Sequence, residues 1–417
     1  MTDTLPAAPS AATRAPQRKL LVSLFAINAM LLACYAAFMT IFVPQQVSLV
    51  DEANKVGNLA LVMTASAIGA VIIHPLVGAW SDRTRSRLGR RAPWILAGAG
   101  GAALFMMLLV AMNTLLWITV VWVLLMLALN ALGTAVPAVV TDHFPRERRG
   151  VASAVIGMGT IAGMGIGVVG AGVFVENIGV GYAAFAVGIF LVAVAYVLLN
   201  RDASSADLVL RPFSWKQFLG GFWVNPIRYP DFAWAFSARF LMILAYQGVQ
   251  TYLLYVLTDF IGLGVVEAAG LAGLLTITQL VAALLSTYVS GRISDRTGRR
   301  KIFVIASSLL MGGALVIPLV TPTVAGMFAL AFVFGLGYGV YLSVDLALMT
   351  EVLPDEEGDA AKDLGILNVA TTLPQALTPL VAWMLISLTG GYASIFVAGI
   401  VFAVLGALAI LPIKSVR

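Results

Sequence analysis

Apolar residues run along this chain in long blocks separated by short polar breaks. The blocks lie near residues 20–43, 57–80, 93–112, 115–140, 151–174 and 181–199, then near 233–258, 264–290, 302–320, 324–350, 364–388 and 391–412. A helix needs about 20 apolar residues to cross a hydrocarbon layer of about 30 Å, so each block predicts a membrane-spanning helix. The blocks are far longer than the alternating segments of roughly 10 residues that build a transmembrane barrel. Residues 1–19 are polar and rich in Pro and Ala, which predicts a disordered tail rather than a signal peptide. Residues 200–231 are polar and broken by Pro. They predict a connecting loop, in which Phe213, Trp215, Phe218, Phe222 and Trp223 beside Lys216 suit an interfacial segment. The expected organisation is a tail (1–19), a six-helix bundle (20–199), a loop (200–231) and a second six-helix bundle (232–417).

Composition removes the alternatives. The 417 residues are 60% hydrophobic and only 11% charged, with a mean hydropathy of +0.97. A soluble domain carries about 25% charged residues, and a soluble chain has no means of covering so much apolar surface. Soluble enzymes, nucleic-acid binders and disordered scaffolds are excluded together. The net charge of +5 points to no nucleic acid, because the basic residues are sorted by membrane side. One cysteine, Cys34, excludes an internal disulfide and a multi-cysteine metal cage.

That sorting fixes an expected orientation. If every block crosses, 23 of the 25 Lys and Arg residues fall on one face, in the tail, the turns after blocks 2, 4, 8 and 10, the central loop and the C-terminus. The two others are Lys55, on the opposite face, and Arg239, inside block 7. Such asymmetry marks the basic face as cytoplasmic, with both termini inside. Arg-over-Lys and Ala-rich usage suggests a bacterial inner membrane.

The halves repeat. GAWSDRTRSRLGRR after block 2 is echoed by GRISDRTGRR after block 8, pairing Asp82 with Asp295 at an offset of 213. Phe25, Asn28, Tyr35 and Thr40 fall opposite Phe236, Arg239, Tyr246 and Thr251 at an offset of 211. Asp142-His143-Phe144-Pro145 falls opposite Glu351-Val352-Leu353-Pro354 at an offset of 209. Near-constant offsets are what duplication of a six-helix unit produces, and parallel halves suit alternating-access transport.

With its doubled G-x-x-x-D-R motif, twelve blocks and central loop, the chain resembles the major facilitator superfamily over its whole length. The stretch from Pro75 to Pro93 and the stretch Gly365-Ile-Leu-Asn-Val-Ala-Thr-Thr-Leu-Pro-Gln375 are similar to those of plant sucrose–proton symporters and their glycoside–cation relatives. The resemblance implies an all-α fold of two pseudo-symmetric six-helix bundles, with blocks 1, 4, 7 and 10 lining the substrate path. It also implies proton-coupled uptake of a sugar or glycoside. The sequence departs from the symporters where they keep an aspartate and an arginine in block 4: Met126 and Pro137 fall there. Ala92 likewise replaces a basic residue.

At the loop motif, Asp82 and Asp295 stand where blocks 2 and 8 leave the membrane. Each carboxylate can accept from a neighbouring arginine and face the positive N-terminal end of a helix from the other half. The expected helix starts are 363–365 for Asp82 and 150–152 for Asp295. With Arg83, Arg90, Arg296 and Arg299 they form a candidate gate, against the alternative of a solvated charge cluster that only sets orientation.

Inside the membrane, ionisable residues are functional candidates by default. Arg239 and Asp345 both lie about 9 Å inside the basic face at 1.5 Å per residue, so they can pair. Arg239, Tyr246 and Gln250 share a face of block 7, and Tyr338, Tyr341 and Asp345 share one of block 10. Asp345 is the candidate proton carrier and Arg239 its counter-charge, against the alternative of a permanent ion pair that only locks the bundle. His74, before Pro75, is either a proton relay or a hydrogen-bonded packing residue. Asn28, Tyr35, Asn130 and Thr134 from the first half, and Gln279, Asn368, Thr372, Gln375 and Trp383 from the second, offer amides, hydroxyls and aromatic faces to a neutral polyhydroxylated ligand. Buried amides equally serve helix packing.

Gly165, Gly167 and Gly170 spell a nucleotide-like G-x-G-x-x-G but follow no strand. Gly157, Gly159, Gly163 and Gly167 read as close helix packing. No ATP-binding, metal-binding or hydrolytic motif is present, so neither cofactor nor metal is expected, nor an enzyme. The expected protein is a monomeric secondary transporter that moves a small molecule together with protons. The alternatives are an exporter of a hydrophobic or amphipathic compound and a transporter-like receptor without flux.

Overall fold

The computed structural model describes residues 17–145, 148–200, 204–205, 229–297, 300–352 and 360–413. Helix α1 runs as Gln17–Ala37, a π-helical turn Phe38–Phe42 and Val43–Val50. It is followed by α2 (Lys55–Arg83), α3 (Ala92–Val110), α4 (Leu115–His143), α5 (Arg149–Val173) and α6 (Ile178–Leu199). The second half comprises α7 (Pro230–Thr251), extended by Leu253–Tyr255 and a π-helical turn Val256–Phe260, and α8 (Val265–Thr297). Then come α9 (Arg300–Ala314, continued by Ile317–Val320), α10 (Val324–Glu351), α11 (Ala360–Thr389) and α12 (Ala393–Ile410). Eleven of these are long and apolar enough to span a bilayer by the described residues, and the 29-residue α2 makes the twelfth. The first helix starts at Gln17, three residues inside the expected tail, whose residues 1–16 lie outside the described residues, as do 201–203 and 206–228 of the central loop.

The packing partners follow the repeat. In the first half α2 and α3 flank α4, and α6 lies on α3; in the second, α8 and α9 flank α10, and α12 lies on α9. The halves meet along α2 with α11 and α5 with α8. Large apolar side chains such as Leu61, Leu116, Leu191, Leu285 and Leu388 are exposed on the outer surface, as a lipid solvent permits.

Between apolar helices in lipid, close backbone approach replaces the hydrophobic drive. The α1–α5 seam shows why glycine is needed. A Cβ on Gly163 would run into the carbonyl of Ala29, and one on Gly167 into that of Ala33. The expected packing role holds at Gly159, Gly163 and Gly167, whereas Gly157 faces open space, so a Cβ there would meet nothing within 4 Å.

Candidate functional site

Helices α7 and α10 bring together the residues of the second half. Arg239 Nη1 and Asp345 Oδ2 stand 3.4 Å apart, with side chains 16% and 10% exposed. A tight charge-assisted hydrogen bond would be about 2.7–2.9 Å, so this pair is held loosely. Nη1 completes no hydrogen bond among the described residues, and neither does the buried hydroxyl of Tyr341. That hydroxyl lies within electrostatic reach of both charges. Tyr246 and Tyr338 sit edge to face with ring centroids 5.4 Å apart and adjoin the same two charges. Phe334 stacks on Tyr338 at 6.3 Å.

Tyr246 also lines a partly open cavity of about 450 Å³, a volume that includes space open to solvent. Its polar lining is Gln250, Thr276 and Gln279 beside the tyrosine; Val249, Leu253, Leu275, Leu315, Met327, Leu330, Ala331 and Phe334 complete it. Gln250 Nε2 donates to Gln279 Oε1 at 2.9 Å, holding two amides at the wall. The expected stripe of Arg239, Tyr246 and Gln250 thus links an ion pair to a cavity. Gln279 and Thr276 of α8 complete the lining.

In the first half the amides do something else. Asn28 Nδ2 donates to Ile156 O and to Thr160 Oγ1, both at 2.9 Å, fastening α1 to α5. Asn130 Nδ2 donates to Met126 O of its own helix at 2.7 Å. In apolar surroundings an amide takes the nearest carbonyl, so these donors are engaged in packing. Tyr35 packs half-buried against the core, and Gln375 is half-buried on α11. The side chains of His74, Asn368 and Asp295 lie outside the described residues, and Arg299 does so entirely.

On the basic face Arg91 is the centre, its side chain 8% exposed. Its Nη2 meets Asp82 Oδ1 at 2.6 Å, its Nε meets Asp142 Oδ2 at 2.9 Å, and its Nη1 donates to Ser81 Oγ at 2.9 Å. Arg90 Nη2 reaches Asp142 Oδ1 at 2.7 Å. The described partner of Asp82 is therefore an arginine of its own half; the side chains of 363–365, where a partner was expected, lie outside the described residues. Arg83 and Arg296 occupy the last turns of α2 and α8. Ser205 of the central loop accepts from Ser86 N at 3.0 Å and donates to Thr84 O at 2.9 Å, tying that loop to the motif turn. Sequence reading missed Arg91 as the hub, because which of five neighbouring arginines turns inward is decided by the place of Asp142 on α4.

The profile of the Major Facilitator Superfamily matches residues 21–289 and 267–416. The chain belongs to the major facilitator superfamily. It is therefore a multi-pass membrane transporter by family and fold. Among solved structures of this fold, a bacterial homologue of the human lysosomal transporter Spinster, inward-facing and unoccupied, superposes with a TM-score of 0.72 at 14% identity, covering 96% of this chain and 98% of that one. A mutant of the nucleoside transporter NupG gives 0.72 at 14% identity over 94% and 99%. The peptide transporter POT in complex with sulfate gives 0.70 at 17% over 94% of each. At these identities the likeness shows the fold alone. Proton-associated sugar transporter A of Homo sapiens is 52% identical over 50 residues, 12% of this chain and 7% of that protein. This transporter therefore matches only a short part of its curated relative.

Proposed function

We propose that this transporter couples proton movement to uptake of a sugar or glycoside by alternating access. Asp345 carries the proton and Arg239 is its counter-charge. The observation that supports this most directly is the loose Arg239–Asp345 pair, sequestered inside the second half and joined through Tyr246 to the cavity. Protonating Asp345 would leave the buried guanidinium without its partner, which is expensive in a low-dielectric interior. Proton uptake must therefore accompany hydration or substrate contact. Gln250, Gln279, Thr276 and the tyrosine hydroxyls offer the donors and acceptors that a polyhydroxylated ligand needs. The short match to a proton-associated sugar transporter supports the same reading. The basic face would lie in the cytoplasm of a plasma membrane, with the Asp82–Arg91 motif acting as part of the gate and His74 as a candidate relay.

The test is uptake of labelled disaccharides into proteoliposomes. With an imposed pH gradient the wild type accumulates sugar, whereas Asp345→Asn loses accumulation but keeps sugar-for-sugar counterflow. Asp345→Asn that still accumulates sugar along the gradient removes the coupling role. A second reading is favoured by the mostly apolar cavity wall, from Val249 to Phe334: export of an amphipathic compound. Efflux of such compounds without sugar counterflow would establish that reading instead.

A further inference from the structure

On the face away from the arginine-rich turns, the two halves are joined by a small cluster. Lys55 Nζ at the start of α2 meets Asp259 Oδ1 beyond α7 at 2.9 Å. The same ammonium lies 5.0 Å from the ring centroid of Tyr255. Tyr255 Oη donates to Pro44 O at 2.7 Å, and Tyr252 Oη donates to Val56 O at 3.1 Å, both across the halves. Pro379 O lies 3.0 Å from the same Tyr252 hydroxyl and shares its one proton with Val56 O. The cavity lining ends at Leu253, directly below this cluster along α7.

Each charge in the cluster has a second partner, and that partner belongs to its own half. Lys55 Nζ also meets Glu52 Oε1 at 2.6 Å, three residues back. Asp259 Oδ2 accepts from Tyr392 Oη at 2.7 Å, and Asp259 Oδ1 accepts from Thr258 Oγ1 at 2.8 Å. We propose that Lys55 and Asp259 form a reversible latch, in which separation of the halves breaks their mutual bond but leaves neither charge stranded. Removing one member of an ion pair is costly mainly because the other is left uncompensated. Here Lys55 retains Glu52, and Asp259 retains Tyr392 and Thr258. For these two charges the opening penalty is thereby reduced to the loss of their mutual pair, which parts together with the two tyrosine hydrogen bonds and the Lys55–Tyr255 contact. Burial, with the Asp259 carboxylate beside it, holds the Tyr392 hydroxyl above its ordinary pKa, so it stays a donor in either state.

The arrangement makes residues of one cluster act in opposite directions. Lys55→Gln and Asp259→Asn remove the charge pairing across the halves and favour the open state at this face. Glu52→Gln leaves the spanning bond but removes the partner that Lys55 keeps after opening, so it favours the closed state. Spin labels at Leu49→Cys and Val266→Cys, both exposed on opposite halves at this face, read the separation in a Cys34→Ala background. Lys55→Gln and Asp259→Asn are expected to raise the ratio of long to short distances about fivefold or more, the lower end of ordinary coupling between two states. Glu52→Gln is read in a Tyr255→Phe background, which loses the bond to Pro44, and is expected to lower the ratio there. Distances unchanged by both Lys55→Gln and Asp259→Asn would overturn the latch. So would a Glu52→Gln effect that is absent or of the same sign as that of Lys55→Gln. The measurement needs neither substrate nor a pH gradient, so its outcome and that of the sugar–proton reading stand apart.

Discussion

Three single residues show how differently a buried position can be used. Cys34 is fully buried and is the chain's one cysteine. Maleimide dyes should label it only when the fold opens, so its labelling against temperature gives a melting curve without an engineered cysteine. Gly163 is fixed by the carbonyl of Ala29 on the facing helix. Gly163→Val should lower stability by about 1–3 kcal/mol through overpacking of the α1–α5 seam, read as a drop in that melting temperature. Asp345, by contrast, is 7% exposed and is the proposed coupling residue. The sequence revealed it because a carboxylate in an apolar block is rare. It could not reveal that the approach to Arg239 is loose, since a fraction of an ångström is set by packing across two helices.

At the scale of elements, the basic turn after α2 behaves as a clamp. Arg91 holds Asp82, Ser81 and Asp142 together, whereas Arg90 contributes one bond from a side chain that is 33% exposed. Arg91→Ala should cost about 2–3 kcal/mol, somewhat less than breaking a fully buried pair because the Asp82 end is exposed. Arg90→Ala should cost less than about 1 kcal/mol. Thermal unfolding in detergent separates the two. The same elements show how far apolar blocks define helices. All twelve were legible, with ends shifted by a few residues. The π-helical turns Phe38–Phe42 and Val256–Phe260 were not, nor was the interruption of α7 at Tyr252. The polar residues at these breaks, Thr40, Thr251, Thr258 and Asp259, do not by themselves predict a change of helix type. The breaks occur where α1 and α7 approach each other at the far face.

For the whole molecule, the seams between halves are as informative as the helices. At the far end of the α5–α8 seam, a Cβ on Gly172 would meet Ala269 O at 3.0 Å. Gly172→Leu should prevent the halves from closing there, lengthening the Leu49–Val266 separation without touching a charge. An unchanged distance distribution would show that this seam does not limit closure. The contrast with Lys55→Gln then separates steric from electrostatic control of one motion.

The sequence by itself determined the solvent, the number of spans, the duplicated plan and the expected sidedness. Each of these follows from local counts: apolar run length against bilayer thickness, repeat offset, and the placing of Lys and Arg. It also singled out Arg239 and Asp345, because burial of charge is visible in any apolar run. Tertiary structure decided which polar groups are spare and which are engaged. Asn28 and Asn130 were as plausible as Gln250 on paper, yet their donors close on α5 and on their own helix, while Gln250 joins Gln279 at a cavity wall. Only the fold, too, placed Lys55 against Asp259, 204 positions away along the chain. A hydrogen bond depends on distances within tenths of an ångström between segments far apart in the chain. No pattern along one strand of sequence contains that information.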